Sequence, residues 1–561
     1  MLKGDAFALR YSHSSNLNDL LSAYSAFQLS SRLVNNVRHS FKAEGSKLSF
    51  SGKAFSIYER GINISLQLFN LTKNDMYKQA AFKFAEESKA GLLFDAVSEV
   101  KARNFSGISD TLLEQEKDLR IDLAYFDTQI LNEKQKKLPS HEKISELKDK
   151  YFSLHTQYLS LLESLEKNYP SYYQLKYKEK NVTVENLQML LDDQSIIIEY
   201  FLGDSTFSIF TVSRNSFDVV TIKSDTSITE IVRQLRQSLQ NLEFNNYISS
   251  ASALYRILIK PVEDKIFEAK NLFIVPDGTL FYLPFEALLS GNTEMNEEIN
   301  FTELPYLVKA FNISYLFSTA FLQKEAKRLE SKLSFAGFAP VFADENSQSE
   351  NKTIDDLTAQ LKRAVEINDK TYSELPESKR EVEGILTLFQ KKNLICMNFI
   401  SEDAKEDVLK SDSMYSFSFV HIASHGFINE DKPRFSGIIF TDKNNPPDED
   451  GILYSDEIYN LHLNADLVVL SACETGLGKI VKGEGLIGLT RGFVYSGARN
   501  ILVSLWQVAD KSTSELMIEF YKNVLDGKSY SSSLREAKLK LIKDGAYSYP
   551  LEWSPFVLIG N

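Results

Sequence analysis

Up to about residue 180 the hydrophobic positions recur at helical spacing, and from Ser195 onward short apolar runs alternate with amphipathic stretches. The early pattern predicts a helix around Leu17–Val37 and another from Lys53 to Leu71. After the polar turn TKND it predicts a third, from Met76 to Ala102. Leu112, Leu119, Leu123, Phe126 and Ile130 then form one stripe. Beyond Pro139, the residues Ile144, Leu147, Tyr151, Leu154, Tyr158, Leu161 and Leu165 alternate steps of 3 and 4, a heptad seam. These two stretches are expected to fold back as an antiparallel helical hairpin, with their Glu and Lys residues on a solvated face. From Ser195, SIIIEYFL, TFSIFTVS and SFDVVTI read as consecutive strands with tight turns between them. A helical stretch over Ile228–Ile259 leads to the buried strand and turn of NLFIVPDG. Short strands are expected at Ile313–Phe317 and Leu333–Phe338, a polar surface insertion at 341–374, and a helix in LPESKREVEGILTLF. Three apolar segments follow, FSFVHIAS, ADLVVLSA and ARNILVSLW, separated by helical ones. Such alternation implies a mostly parallel sheet covered on both faces.

The third N-terminal helix carries Ala80, Ala81, Phe84 and Ala85 on one side, where small residues let paired helices approach closely. A helix, turn and helix of this size resembles a tetratricopeptide-type unit. An unrelated antiparallel pair explains the same pattern, because the full repeat signature is absent. One or two units are visible where arrays need about three, so the expectation is an array entered partway or helices capping against the next domain. The domains expected are a tetratricopeptide-like region at 1–108, a long helical hairpin at 109–180 and an α/β domain at 181–561.

Composition narrows the function classes. Lys plus Arg number 63 against 76 Asp plus Glu, a net charge of −13, so bulk nucleic-acid binding is not expected. Two cysteines, Cys396 and Cys473, supply neither a disulfide scaffold nor a four-cysteine zinc site, and no cofactor or metal site is expected. The start MLKGDAFALRYSHSS lacks the apolar core of a signal peptide, and no apolar run is long enough to span a bilayer. The expected location is a reducing cytoplasm, where a free thiol persists as a nucleophile.

Ligands of open α/β sheets gather at the carboxyl ends of the strands. The first apolar segment there ends in His425-Gly426 and the second in Ser471-Ala472-Cys473-Glu474-Thr475-Gly476. The interval, 473 − 425 = 48, is close to the roughly 50-residue spacing of the caspase His and Cys. A thiol with a pKa of about 8.5 needs a base in reach, and the same imidazole can later protonate the leaving amine. The tetrahedral oxyanion needs backbone N–H donors, each contributing about 3 kcal/mol in the transition state. Gly426, with no Cβ to block approach, and Cys473 itself are the expected donors. Taken singly, a Cys ending an apolar strand is more often a small buried hydrophobe, and a His before Gly a turn residue. Order, interval, strand context and flanking glycines together favour a His425–Cys473 dyad. His421, within the same strand, is expected to pack or to orient its neighbour; His462 lies near a loop without a nameable partner. Cys396, in NLICMNF with no histidine nearby, reads as core.

The matching motifs extend well beyond the dyad: IVPDGTLFYLPFEAL (274–288), FVHIASHG (419–426), LVVLSACETGLG (467–478), GEGLIGLTRGFVYSGAR (483–499), SLWQVAD (504–510) and the final WSPFVLIG. Over about residues 195–561 the chain resembles the CHAT family, a caspase-like peptidase domain often fused to tetratricopeptide repeats. The resemblance implies a caspase-like α/β fold with a degenerate first half (181–400) and a catalytic half (401–561), with His425 as base and Cys473 as nucleophile. It also implies a bacterial regulatory or defence role. The chain would then cleave a partner protein, gasdermin-like pore formers among the candidates, under control of an activating protein bound by the helical region.

Some caspase- and separase-group relatives read a basic P1 residue through an acidic residue two places before the cysteine. Ser471 stands there in this chain, so a basic P1 is not supported, and Trp506 and Val508 would line a groove favouring an apolar P1. Ordinary packing explains Trp506 equally well. The acidic loop 444–451 either borders the cleft or is a regulatory insertion. The leading expectation is a cysteine endopeptidase with the helical region as sensor or substrate dock. A glutaminase-like amidase is disfavoured, because its nucleophile precedes its histidine. A non-catalytic scaffold retaining the protease fold is the remaining alternative.

Overall fold

The computed structural model describes the chain except residues 42–43, 106, 137, 178–179, 181, 224–226, 292–298, 323–332, 341–363, 368–369, 374, 430–431, 444, 447–448 and 472–477. Most of the expected insertion at 341–374 therefore lies outside the described residues. Seven main helices open the chain: α1 (Leu2–Ser14), α2 (Leu17–Ser40), α3 (Glu44–Thr72), α4 (Asp75–Glu87), α5 (Gly91–Phe105), α6 (Asp110–Gln135) and α7 (His141–Asn168). The TKND turn works as the pattern predicts: the Asn74 side chain accepts from Met76 N–H and starts α4. The single helix expected over Met76–Ala102 is two. The chain breaks at Ser88–Ala90, where Ala90 adopts a left-handed φ of 47°. Lys89, released there, donates through Nζ to the Tyr200 carbonyl at 2.7 Å. Helices α6 and α7 form the expected hairpin, and the Ser140 hydroxyl caps α7 by accepting from Lys143 N–H.

The α/β region is built on one eleven-stranded sheet. Its strands are β1 (Ser195–Leu202), β2 (Thr206–Ser213), β3 (Phe217–Lys223), β4 (Asn271–Val275), β5 (Asn312–Tyr315) and β6 (Ser334–Ala339), with β7 (Ala364–Ile367) and β8 (Lys370–Ser373) forming a separate hairpin. Then come β9 (Ile395–Ile400) and β10 (Phe419–Ile422). A small sheet follows, of β11 (Gly426–Phe427), β12 (Gly437–Ile439) and β13 (Ile452–Tyr454). The main sheet resumes with β14 (Leu467–Leu470). After the hairpin β15 (Lys479–Val481) and β16 (Gly485–Ile487), it ends with β17 (Ile501–Ser504) and β18 (Phe556–Ile559). The main order is β3-β2-β1-β4-β5-β18-β17-β14-β10-β6-β9. Strand pairing does not follow the chain boundary expected at residue 400. β6 and β9, which precede it, continue the sheet beyond β10, and β18, from the C-terminus, joins the two halves.

β1 shows why both faces must be covered. Its alternate residues Ile196, Ile198 and Tyr200 pack with the helices Ser227–Gln240 and Phe244–Leu258. The intervening Ile197 and Phe201 pack with Leu20, Phe27, Phe55 and Phe82 of α2–α4. Phe55 stacks on Phe201 with centroids 4.9 Å apart and planes 2° from parallel. The N-terminal helices are thus the second covering layer of the sheet. Glu199 shares that face, fully buried. Burial and the neighbouring Glu86 carboxylate push its pKa far up, which favours its neutral form. Burial pushes Glu86 up as well, but the Lys180 ammonium at 3.0 Å and the Thr319 N–H hold it at about 2.

A second buried charge joins the sheet halves. Lys538, on the helix Tyr530–Asp544, donates to Glu286 Oε1 at 2.9 Å, and the Tyr315 hydroxyl of β5 donates to Glu286 Oε2. Both charged side chains are buried. Removing one partner strands the other charge, so Glu286→Ala is expected to lower stability by about 3–5 kcal/mol in urea unfolding. The apolar pair Glu286→Leu with Lys538→Met is expected to restore most of that loss.

Candidate active site

Parallel pairing sets the site. β10 runs beside β14 with Phe419 opposite Leu467 and Ile422 opposite Leu470, and both strands run out at the same rim. His425 lies 425 − 422 = 3 residues beyond the last pair on one strand, and Cys473 lies 473 − 470 = 3 beyond it on the other. Cys473 falls outside the described residues, but both its flanks are fixed. Ser471 N–H donates to the Ile422 carbonyl at 2.9 Å, extending the pairing by one residue. Beyond it, the Gly478 carbonyl accepts the Tyr282 hydroxyl at 2.6 Å.

The His425 turn is held from the side by β12. The Ser424 hydroxyl donates to the Ile439 carbonyl, and Ile439 N–H donates to the His425 carbonyl at 2.9 Å. That second bond makes Gly426 and Ile438 a non-hydrogen-bonded pair, so the Gly426 N–H faces away from the β12 ladder. An amide so directed suits an oxyanion donor.

The other sequence candidates separate clearly. His421 is wholly buried: Nε2 pairs with Glu381 at 2.8 Å, and the Tyr521 hydroxyl lies 3.4 Å from Nδ1. It packs in the core. His462 packs against Tyr415 with ring centroids 4.5 Å apart and planes tilted by 38°. Cys396, expected as core filler, sits half-buried on edge strand β9, where burial pushes its thiol pKa up. Glu449 of the acidic loop bonds Lys410 Nζ, together with Glu406 and Glu457. Those three carboxylates have the spacing of a cation site among the described residues, and the Lys410 ammonium stands among them.

Trp506, Val508 and Ser471, expected as groove residues, line one cavity together with Ser424. Trp506 is wholly buried and its indole N–H donates to the Leu551 carbonyl at 3.2 Å, so it forms a fixed wall. Asp510 and Glu381 line the same cavity, and sequence reasoning assigned neither a role. The signal was in the SLWQVAD motif, whose last residue opens the helix Asp510–Leu525. Burial raises Asp510 to about 6, helped by the nearby Glu381 and Glu377 carboxylates and opposed by the Glu377 N–H, which donates to it at 2.7 Å.

With this geometry in place, the family comparison can be read. The family model of the CHAT domain matches residues 249–561, more than half of the chain. The chain belongs to the CHAT domain family. Tetratricopeptide repeat protein 28 of Mus musculus is 35% identical over 116 residues, and the Homo sapiens protein is 34% identical over the same length. Each match spans 21% of this chain and 5% of that much longer protein. Among solved structures, gingipain R, described as an Arg-specific cysteine proteinase, aligns over 55% of this CHAT chain and 67% of its own, at 7% identity and a TM-score of 0.33. The Saccharomyces cerevisiae separase–securin complex aligns over 99% of this chain and 48% of its own, at 10% identity and a TM-score of 0.40. Similarity that low carries no argument about this site. No helix among the described residues is long and apolar enough to cross a membrane.

The raised Asp510 pKa has a definite consequence for stability. A carboxyl whose folded pKa exceeds its unfolded value of about 3.9 favours folding while protonated, and that contribution is lost as pH rises through about 6. Glu381, Glu377 and His421, the titratable groups around it, remain in the variant. Asp510→Asn is therefore expected to raise the melting temperature at pH 7.5, with the difference closing below about pH 4. Calorimetry across pH checks this; a variant less stable at pH 7.5 contradicts it.

Proposed function

We propose that this CHAT chain is a cysteine endopeptidase that cleaves a partner protein, with His425 as general base and Cys473 as nucleophile. The observation that carries the reading is the equal three-residue offset of the two residues from paired positions of adjacent parallel strands. His425 takes the thiol proton as sulfur attacks the scissile carbonyl, and the Gly426 and Cys473 amides receive the oxyanion. Collapse expels the amine, which takes the proton from His425, and leaves a thioester. Water, deprotonated by the same imidazole, then releases the acid and regenerates the thiol.

Control through the helical region is part of the proposal, supported by the segment that follows the nucleophile. The β15–β16 hairpin begins at Lys479, and at its tip Glu484 accepts from the Ser51 hydroxyl of α3 at 3.1 Å and from Leu92 N–H of α5 at 3.0 Å. Ala90 N–H donates to the Gly483 carbonyl at 3.1 Å, and Lys482 stands over the Phe55 ring. A partner protein that moved α3 against α5 in a cytoplasmic setting would pull on this hairpin. The family resemblance makes bacterial defence the first context to test, with gasdermin-like pore formers as candidate substrates.

Cleavage-site mapping in a host proteome is the test. Cys473→Ala and His425→Ala are each expected to lower the cleavage rate by at least ~10³-fold with the fold intact. Retained cleavage in Cys473→Ala would refute the assignment. Glu484→Ala is expected to slow cleavage at least tenfold by releasing the hairpin; an unchanged rate contradicts the coupling.

A further inference from the structure

The cavity beside the His425 and Ser471 turns is about 30 Å³, narrow and walled by Trp506, Val508 and Phe556. Most hydroxyls that line it are already committed to backbone carbonyls. Ser424 donates to Ile439, Ser504 to Trp506, Ser378 to Leu375 and Thr513 to Ala509. Ser471 differs. It is 9% exposed, it lines the cavity, and its Oγ has no hydrogen-bond partner among the described residues. Asp510 shares the space with no cation paired to it among the described residues, and Glu381 stands on the same wall, bonded to His421.

What this cavity lacks among the described residues is a counter-charge. A neutral apolar side chain would leave Ser471 Oγ without a partner and the Asp510 carboxylate, which accepts the Glu377 N–H, without a cation, and unpaired buried polar groups are costly. A slim aliphatic stem ending in a cation meets both needs, its methylenes against Trp506 and Val508 and its head on Asp510. Resting on the peptidase reading, we propose that this cavity receives the P1 side chain, that it selects a primary ammonium of the lysine type, and that Asp510 is the residue that sets this specificity. The acidic determinant sits at the start of a helix after β17, not two places before the nucleophile, where Ser471 stands. Trp506 and Val508, from which an apolar P1 is expected, line the same cavity as Asp510. At pH 7.5 Asp510 is ionised, because its pKa lies near 6.

The test separates binding from catalysis. Full-length Cys473→Ala protein is titrated with n-butylammonium, a lysine side-chain mimic, following the emission of Trp506, one of two tryptophans in the chain. Saturable binding at least tenfold tighter than that of 1-butanol is expected, weakened at least tenfold by Asp510→Asn and several-fold by Ser471→Ala. In the active protein, a peptide with P1 lysine is expected to be cleaved at least tenfold faster than its P1 norleucine counterpart, with the preference abolished by Asp510→Asn. Equal binding of 1-butanol, or indifference to Asp510→Asn, overturns the proposal, as does a norleucine preference. Failure of the peptidase reading shows as no cleavage by the parent chain, or as cleavage surviving in Cys473→Ala, and leaves the butylammonium titration unaffected. Circular dichroism of Asp510→Asn, expected to match the parent, excludes unfolding as the cause.

Discussion

A sheet buried on both faces needs a cover on each, and in this molecule one cover comes from a different part of the chain. β1 sends alternate residues to the Ser227–Leu258 helices and to α2–α4. At about 25 cal/mol per Å² of apolar surface, Phe201, Phe210, Ile197 and Val212 could not remain exposed without a large loss of stability. The helical region is consequently a structural layer of the α/β unit, with its own buried charges, Glu86 and Lys180, placed against the sheet. Any rearrangement of those helices is felt by the sheet, and the Glu484 contacts give it a short route to the segment that follows Cys473.

Parallel register does the rest of the positioning. Strands β10 and β14 present their carboxyl ends together, so residues distant in sequence share one rim. Around that rim the polar groups divide into those that are satisfied and those that are not. His421 bonds Glu381, and Lys410 bonds three carboxylates. Ser471 Oγ, with no partner among the described residues, and Asp510, bonded to the Glu377 N–H and to no cation among the described residues, line one cavity. That contrast, more than the presence of acidic groups, marks the cavity as a place for a ligand.

Much of this was legible in the sequence because it rests on local rules. Strands β1–β3, the α6–α7 hairpin and the three apolar segments follow from period and turn chemistry, and the His425–Cys473 spacing follows from strand order. What escaped was non-local. The break between α4 and α5 depends on Ala90 meeting Gly483 and on Lys89 reaching β1, contacts that helix periodicity does not encode. The placement of β6 and β9 beyond β10 depends on crossovers that pass over sequence neighbours. Cys396 read as core because an apolar strand at a sheet edge has the same composition as one at its centre. Asp510 stands inside the SLWQVAD motif, yet local sequence does not encode that it lines a cavity with Ser471 and Trp506.

The central claim is that His425 acts on Cys473, and the second cysteine supplies an internal control. The rates at which iodoacetamide alkylates the two thiols are measured by peptide mass spectrometry at pH 7, in the parent chain and in His425→Ala. The account predicts that Cys473 reacts at least tenfold faster than Cys396, and that His425→Ala removes this advantage while Cys396 is unchanged. Equal reactivity in the parent, or a fast Cys473 indifferent to the loss of His425, would contradict it.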